Sequence, residues 1–194
     1  MKSLLLAVSS KDALNNKGSP QEKAFLWVTT SPLQPGTDDN AQIIQQYILA
    51  VFYYATNGDG WTNSNGWLRS ETECDWFKVV CNDSGVVTEL KPSFNNLVGS
   101  IPSEVGSLDS LEDLDLTSNQ LTGGIPTELG ELGSLGEIPT ELGGLGSLKY
   151  LFLKNNTLSG GIDDGICDLQ SLIYVSADCT VCDISPANCC NDCE

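Results

Sequence analysis

The stretch Leu111-Glu-Asp-Leu-Asp-Leu-Thr-Ser-Asn-Gln-Leu-Thr-Gly-Gly-Ile-Pro126 decides the fold. Its landmarks are Leu111, Leu114, Leu116, Asn119, Leu121, Gly123 and Ile125-Pro126. Twenty-four residues earlier stand Val87, Leu90, Pro92, Asn95, Leu97, Gly99 and Ile101-Pro102. The set returns as Leu148, Leu151, Leu153, Asn156, Leu158, Gly160 and Ile162, and a fourth set begins at Leu172, Val175 and Ala177 and stops. Self-similarity at a period of roughly 20–29 residues marks the coils of a solenoid. Each coil lays down one short strand, and alternation along it sends the leucines inward to stack on those of the next coil. A lone coil cannot bury its apolar side, so about three or more must stack. The buried Asn fits because its amide both accepts and donates, and so satisfies backbone groups that a turn leaves unpaired.

Between the second and third sets the register breaks. Leu135 and Leu148 lie 13 residues apart, not 24. Ile125-Pro-Thr-Glu-Leu-Gly-Glu-Leu-Gly-Ser-Leu-Gly-Glu137 is followed at once by Ile138-Pro-Thr-Glu-Leu-Gly-Gly-Leu-Gly-Ser-Leu-Lys-Tyr150. The outer half of a coil is written twice and a strand is missing, so 125–148 reads as a truncated repeat. One copy is expected to bulge out, making the strands of Leu114 and Leu151 direct neighbours. A locally distorted coil or a mis-joined chain is the alternative.

The flanks carry different signals. Residues 1–37 predict a weakly ordered segment with one short helix: Ser19-Pro20-Gln21-Glu22 has the form of a capping box, and Phe25, Leu26 and Trp27 are its expected buried side chains. Residues 38–85 predict a helical cap. Ile43, Ile44, Tyr47, Ile48, Val51 and Phe52 recur at helical spacing over 41–55, ended by Gly58-Asp59-Gly60. The solenoid then covers 86–176 and a Cys-rich cap 177–194. Eight cysteines avoid the middle of the chain: Cys74, Cys81, Cys167, Cys179, Cys182, Cys189, Cys190 and Cys193. An even number grouped at two ends predicts disulfides made in an oxidising compartment. Zinc is the alternative for Cys179-x-x-Cys182 and Cys190-x-x-Cys193, but the seven-residue gap falls short of the roughly 15–20 of paired knuckles.

With Gly-x-Ile-Pro after the Asn, the coils resemble the plant-type extracellular leucine-rich-repeat (LRR) family, through Leu97-Val-Gly-Ser-Ile-Pro-Ser-Glu-Val-Gly106 and Leu121-Thr-Gly-Gly-Ile-Pro-Thr-Glu-Leu-Gly130. Cys74-Asp-Trp-Phe-Lys-Val-Val-Cys81 is similar to that family's C-x-W-x-G-V-x-C cap, with Lys78 where Gly is usual. The likeness spans about residues 40–180, and the Cys-rich end is closer to algal members. It implies an α/β solenoid: a right-handed coil with a short parallel sheet, a helical N-terminal cap and a Cys-rich C-terminal cap. Receptor-kinase ectodomains, receptor-like proteins and secreted pectinase inhibitors belong to the family. The resemblance therefore implies recognition of protein, peptide or carbohydrate on the concave face, with a membrane-anchored co-receptor for any signalling.

Composition narrows the function further. Nine Lys and Arg against 26 Asp and Glu give a net charge of −17, which repels nucleic-acid backbones. The sequence has no His, the commonest general base and metal ligand. No nucleophile–base pair is visible, and Asp163-Asp164 reads as a solvated turn. The expectation is a non-enzyme without cofactor or metal. Asn57-Gly-Asp59-Gly60 reads as a turn, since the calcium loop it hints at would need acids where Ala55 and Gly66 stand. No apolar run approaches the roughly 18–20 residues of a membrane span. The run Leu4–Val8 is shorter than the roughly 7–15 of a secretion signal, although the cysteines predict an extracellular or cell-surface protein. Asn82 and Asn155 match the glycosylation triplet. Side chains flanking the inward leucines should form three outward rows: Glu89, Asp113, Tyr150, Tyr174; Lys91, Asp115, Phe152, Ser176; and Ser93, Thr117, Lys154. An acidic patch thus runs into an aromatic one, and aromatics dominate binding hot spots. A structural surface or matrix protein, or a fragment of a larger receptor, is the alternative.

Overall fold

A computed structural model describes residues 1–30, 40–70, 72–130, 145–182 and 190–191. Strand β1 (Val79–Cys81) precedes the first coil. Strands β2 (Val87–Leu90) and β3 (Val98–Gly99) belong to that coil, β4 (Asp113–Asp115) and β5 (Gln120–Gly123) to the next, β6 (Tyr150–Phe152) and β7 (Thr157–Leu158) to the third, and β8 (Tyr174–Ser176) to the last. They form two sheets, β1-β2-β4-β6-β8 and β3-β5-β7. All pairs are parallel except β1 with β2. Leu90, Leu114, Leu151 and Val175 stand in one register and are buried throughout.

The asparagines bind coil to coil. Asn119 Oδ1 accepts from the backbone N–H of Asn95 (3.1 Å) and Leu97 (3.0 Å) in the coil before, while Nδ2 donates to the carbonyls of Pro92 (3.1 Å) and Leu116 (2.9 Å). Asn156 repeats this, accepting from Leu121 N–H at 3.1 Å and donating to the Leu116 and Leu153 carbonyls, both at 2.9 Å. The last coil substitutes a carboxylate: Asp178 accepts the N–H groups of Asn155 (2.8 Å) and Asn156 (3.1 Å). The residue before each ladder Asn has left-handed backbone: Phe94 (φ 53°), Ser118 (φ 55°) and Asn155 (φ 56°).

Leu114 and Leu151 pair in register, as the doubled segment led us to expect. The expected bulge falls mainly on 131–144, outside the described residues. On either side of it, Leu145 N–H donates to the Leu129 carbonyl (3.3 Å). The outer arcs are also in direct contact, for a Cβ on Gly130 would lie 2.2 Å from the Ile166 nitrogen of helix Asp164–Cys167.

The N-terminal segment corrects an expectation. Over residues 1–30 it is packed: helices α1 (Lys2–Leu5), α2 (Lys11–Asn15) and α3 (Pro20–Thr30) bury Leu5, Leu14, Ala24 and Val28 against α4 (Asn40–Ala55) and its surroundings. Half of the capping box forms: Ser19 Oγ accepts from Glu22 N–H (3.0 Å), while the Glu22 carboxylate accepts from Gly18 N–H (2.6 Å), one residue before the capping Ser19. The buried side chains differ from those expected. Ala24 and Val28, one helical turn apart, face inward; Leu26 is exposed, and Phe25 and Trp27 are half-buried. Helix α4 is accordingly buried almost all round from Gln45 to Tyr53. A buried polar relay ties the segment to the first coil: Tyr47 OH donates to Ser9 Oγ (2.8 Å), and Ser9 Oγ donates to Glu104 Oε1 (2.6 Å).

Beyond α4 an aromatic cluster fills the cap. Trp61 and Trp67 meet edge-on with centroids 4.8 Å apart, and Trp67 and Trp76 lie 5.0 Å apart. Cys74–Cys81 forms a disulfide beside it. Lys78 adopts φ 66°, so the turn keeps the left-handed geometry for which Gly is suited. At the other end, α5 (Asp164–Cys167) and α6 (Cys179–Cys182) carry cysteines; Cys182 is joined to Cys190, and Cys167 is also disulfide-bonded. Cys179 corrects the expectation of full pairing: its neighbour on the same helical turn, Cys182, is taken by Cys190, and Cys179 is a free thiol. Cys189 and Cys193 lie outside the described residues. Asn191 covers the outer edge of β8, exchanging bonds with the Val175 backbone (2.7 and 2.9 Å). No helix among the described residues is long and apolar enough to cross a membrane.

Candidate functional site

The exposed face of the long sheet gathers most of the outward residues. Parallel register sets Glu89 beside Asp113, Asp113 beside Tyr150, and Tyr150 beside Tyr174; Asp115 stands beside Phe152, and Phe152 beside Ser176. The rows follow from strand alternation, because each flanks a buried leucine. Ser176 departs from the expected exposure: it is buried at the last strand, where Asn191 bonds the adjoining Val175.

The charged half is internally paired. Lys91 Nζ forms an ion pair with Glu89 and a longer one with Asp113 (3.4 Å). The hydrogen bond that Lys91 donates to Glu89 is the main influence holding the Lys91 pKa above its ordinary value. Desolvation pushes the Asp113 carboxyl up, with Lys91 partly opposing it. Asp113 Oδ1 is buried and has no hydrogen-bond partner among the described residues. Asp115 accepts the Thr117 backbone N–H at 2.9 Å. Lys154, two residues beyond Phe152, is half-buried.

The aromatic half is continuous. The Tyr150 and Phe152 rings are parallel within 5°, with centroids 6.3 Å apart, and Phe152 reaches Tyr174 at 5.7 Å. Tyr150 is 37% exposed, the most open of the three. Phe94 went unnoticed in the sequence. It is 75% exposed in left-handed backbone at the end of the first coil's strand. Its signal was positional, since the other coils place the small polar Ser118 and Asn155 in that turn. A bulky side chain at positive φ is an outlier worth a functional question.

The remaining candidates lie elsewhere. Asn82 is exposed, its Oδ1 accepting from the Ser84 and Val86 N–H groups; Asn155 is exposed and donates to Ser118 Oγ (3.2 Å). Asp163 caps α5 by accepting from Gly165 N–H at 2.9 Å. Asn57 opens a turn in which Tyr53 OH donates to Asp59 (2.8 Å). No group of three His, Cys, Asp or Glu side chains among the described residues is placed to hold a metal.

Stacked parallel strands, an inward leucine column and an asparagine ladder define a leucine-rich-repeat protein. The Leucine Rich Repeat family model matches residues 110–132 and 147–169, which are the coils on either side of the doubled segment. Those coils are thus leucine-rich repeats, and the sequence likeness found over part of the chain is to a plant receptor-like protein. It is 40% identical over 47 residues to a probable LRR receptor-like serine/threonine-protein kinase of Arabidopsis thaliana, covering 24% of this chain and 6% of that protein. It thus matches a small part of that relative's length, confined to the repeats. Its fold is similar to the LRR ectodomain of the receptor kinase SOBIR1 from Arabidopsis thaliana, at TM-score 0.51 and 21% identity over 69% of this chain and 68% of that one. It is also similar to the Arabidopsis HAESA LRR ectodomain solved with an IDA peptide hormone ligand, at TM-score 0.51 and 21% identity over 72% of this chain and 22% of that one.

Proposed function

We propose that this chain is a non-catalytic, extracellular recognition module that binds a protein or peptide across the concave face of a right-handed coil. The hand is the one that parallel strands joined by crossovers overwhelmingly adopt. One observation carries the reading: Tyr150, Phe152 and Tyr174 form a continuous aromatic strip on the outward side of the sheet, beside the Glu89, Lys91, Asp113 and Asp115 network. Such a strip offers large, rigid contact area with little side-chain entropy to lose. The disulfides support an oxidising location. The peptide complex of the similar HAESA ectodomain supports a peptide ligand here. Signalling would then pass through a membrane-anchored co-receptor, and Asn82 and Asn155 would be the glycan acceptors.

The test is selection of binders from a displayed library of linear 12-residue peptides against the whole chain. Selected peptides should bind Tyr150→Ala/Phe152→Ala at least about tenfold more weakly, a loss of ~1.4 kcal/mol. Peptides that bind the double variant and the parent alike would overturn the proposal. Glycan-array binding removed by the same double variant would instead favour a carbohydrate ligand.

A further inference from the structure

We propose that the group recognised on this face is an arginine guanidinium presented by an extended peptide. The inference rests on the concave-face reading and specifies the chemistry of its ligand. Register places the parallel Tyr150 and Phe152 rings beside Asp113 and Asp115, one strand away. Neighbouring strands lie about 4.8 Å apart, so a group lying against the rings is within reach of both carboxylates. Ring faces attract cations, and a guanidinium is planar, weakly hydrated and able to offer several N–H donors at once. A lysine ammonium is compact and strongly hydrated, and cannot lie flat on a ring while meeting a carboxylate in two places.

The carboxylates have capacity for such a partner. Asp115 accepts one backbone N–H, and an ionised carboxylate has about four acceptor sites. Asp113 shares Lys91 with Glu89 and its unpartnered Oδ1 is buried, so Asp115 is the carboxylate open to direct pairing while Asp113 adds its charge from one strand position away. The three carboxylates of the rows, Glu89, Asp113 and Asp115, outnumber their two lysines, Lys91 and Lys154, and the whole chain carries −17. An anionic ligand is disfavoured there, and a neutral sugar would leave the excess of carboxylate over lysine charge unbalanced. A cation relieves both conditions.

The peptides selected above supply the probe. They should be enriched in arginine. In the tightest binder, Arg→Lys should weaken binding at least about fivefold, and Arg→citrulline, which keeps the plane and removes the charge, at least about tenfold, in line with desolvated cation–π and ion-pair contacts. Asp115→Asn, conservative for folding, should weaken the arginine peptide while leaving the citrulline peptide's residual binding unchanged, and Phe152→Leu should weaken the arginine peptide more than the citrulline peptide. Thermal unfolding of each variant confirms that it is folded. Binders that lack arginine yet depend on Tyr150 and Phe152 would overturn the arginine assignment and leave the recognition face standing. Binders indifferent to those two rings would overturn both.

Discussion

The two ends of this solenoid cover the same kind of surface, an exposed row of leucines, by different means. At the start, β1 pairs antiparallel with β2, and behind it Trp61, Trp67, Trp76, Phe52 and Tyr53 pack ring on ring, under α4 and the helices around it. The Cys74–Cys81 bond lies beside an interior that is already full. At the finish, the described cap is thin: the Asp178 carboxylate, Asn191 on the edge of β8, buried Val181, and the Cys182–Cys190 link. Among the described residues, apolar volume closes one end, while hydrogen bonds and sulfur predominate at the other. Stability should therefore depend on ring packing at the first end and on covalent links at the second.

The largest effect should come from Trp67→Ala. Emptying the centre of the ring cluster is expected to cost about 3–5 kcal/mol, read by denaturant unfolding. Smaller is the loss from Cys182→Ser/Cys190→Ser, about 2–3 kcal/mol from the restored freedom of a loop spanning eight residues. Cys74→Ser/Cys81→Ser restores a loop of nearly equal length. By hydrogen exchange, β1 should stay protected in that variant, whereas β8 should lose protection when Cys182–Cys190 is removed. The reverse pattern would break the comparison.

Alkaline pH tests the first end in another way. Burial, aided by the hydrogen bond to Asp59, pushes the Tyr53 phenol up to about 12. A folded value above the ordinary one of about 10 means that the neutral phenol's contribution is complete below pH ~10 and is lost as pH rises through about 12. Tyr53→Phe should flatten that loss in denaturation curves taken across this window, with Cys179 alkylated beforehand to prevent thiol exchange. The smallest expected effect is a gain: Lys78→Gly should stabilise by about 1 kcal/mol, because Gly enters left-handed backbone without the Cβ penalty.

Some of this was legible in the chain and some was not. The leucine column, the asparagine ladder and the Leu114–Leu151 pairing followed from the period, because stacking repeats the same local geometry at each coil. The N-terminal helices did not, since Leu5, Leu14, Ala24 and Val28 are too sparse to show a pattern, and their burial depends on a surface of α4 distant in sequence. The clue was on α4 itself: Ile48, Leu49, Ala50, Val51 and Phe52 leave no polar stripe, and a helix apolar on all sides is covered on all sides. The face showed the same division. Alternation placed Tyr150, Phe152 and Tyr174 in their rows, but the joint claim of Glu89 and Asp113 on Lys91 depends on side-chain reach across strands. Phe94 was missed because the coil, not the residue's own preference, dictates its positive φ.

Asp178 has a consequence for assembly. Each ladder asparagine both receives from the preceding turn and gives back to a carbonyl, so the relay can be prolonged indefinitely in principle. An ionised carboxylate only receives. Asn191 also bonds both backbone groups of Val175 on the last strand's rim, so that position offers a second molecule no free backbone pair. The side chain that completes the final turn is thus also the one that ends the relay among the described residues.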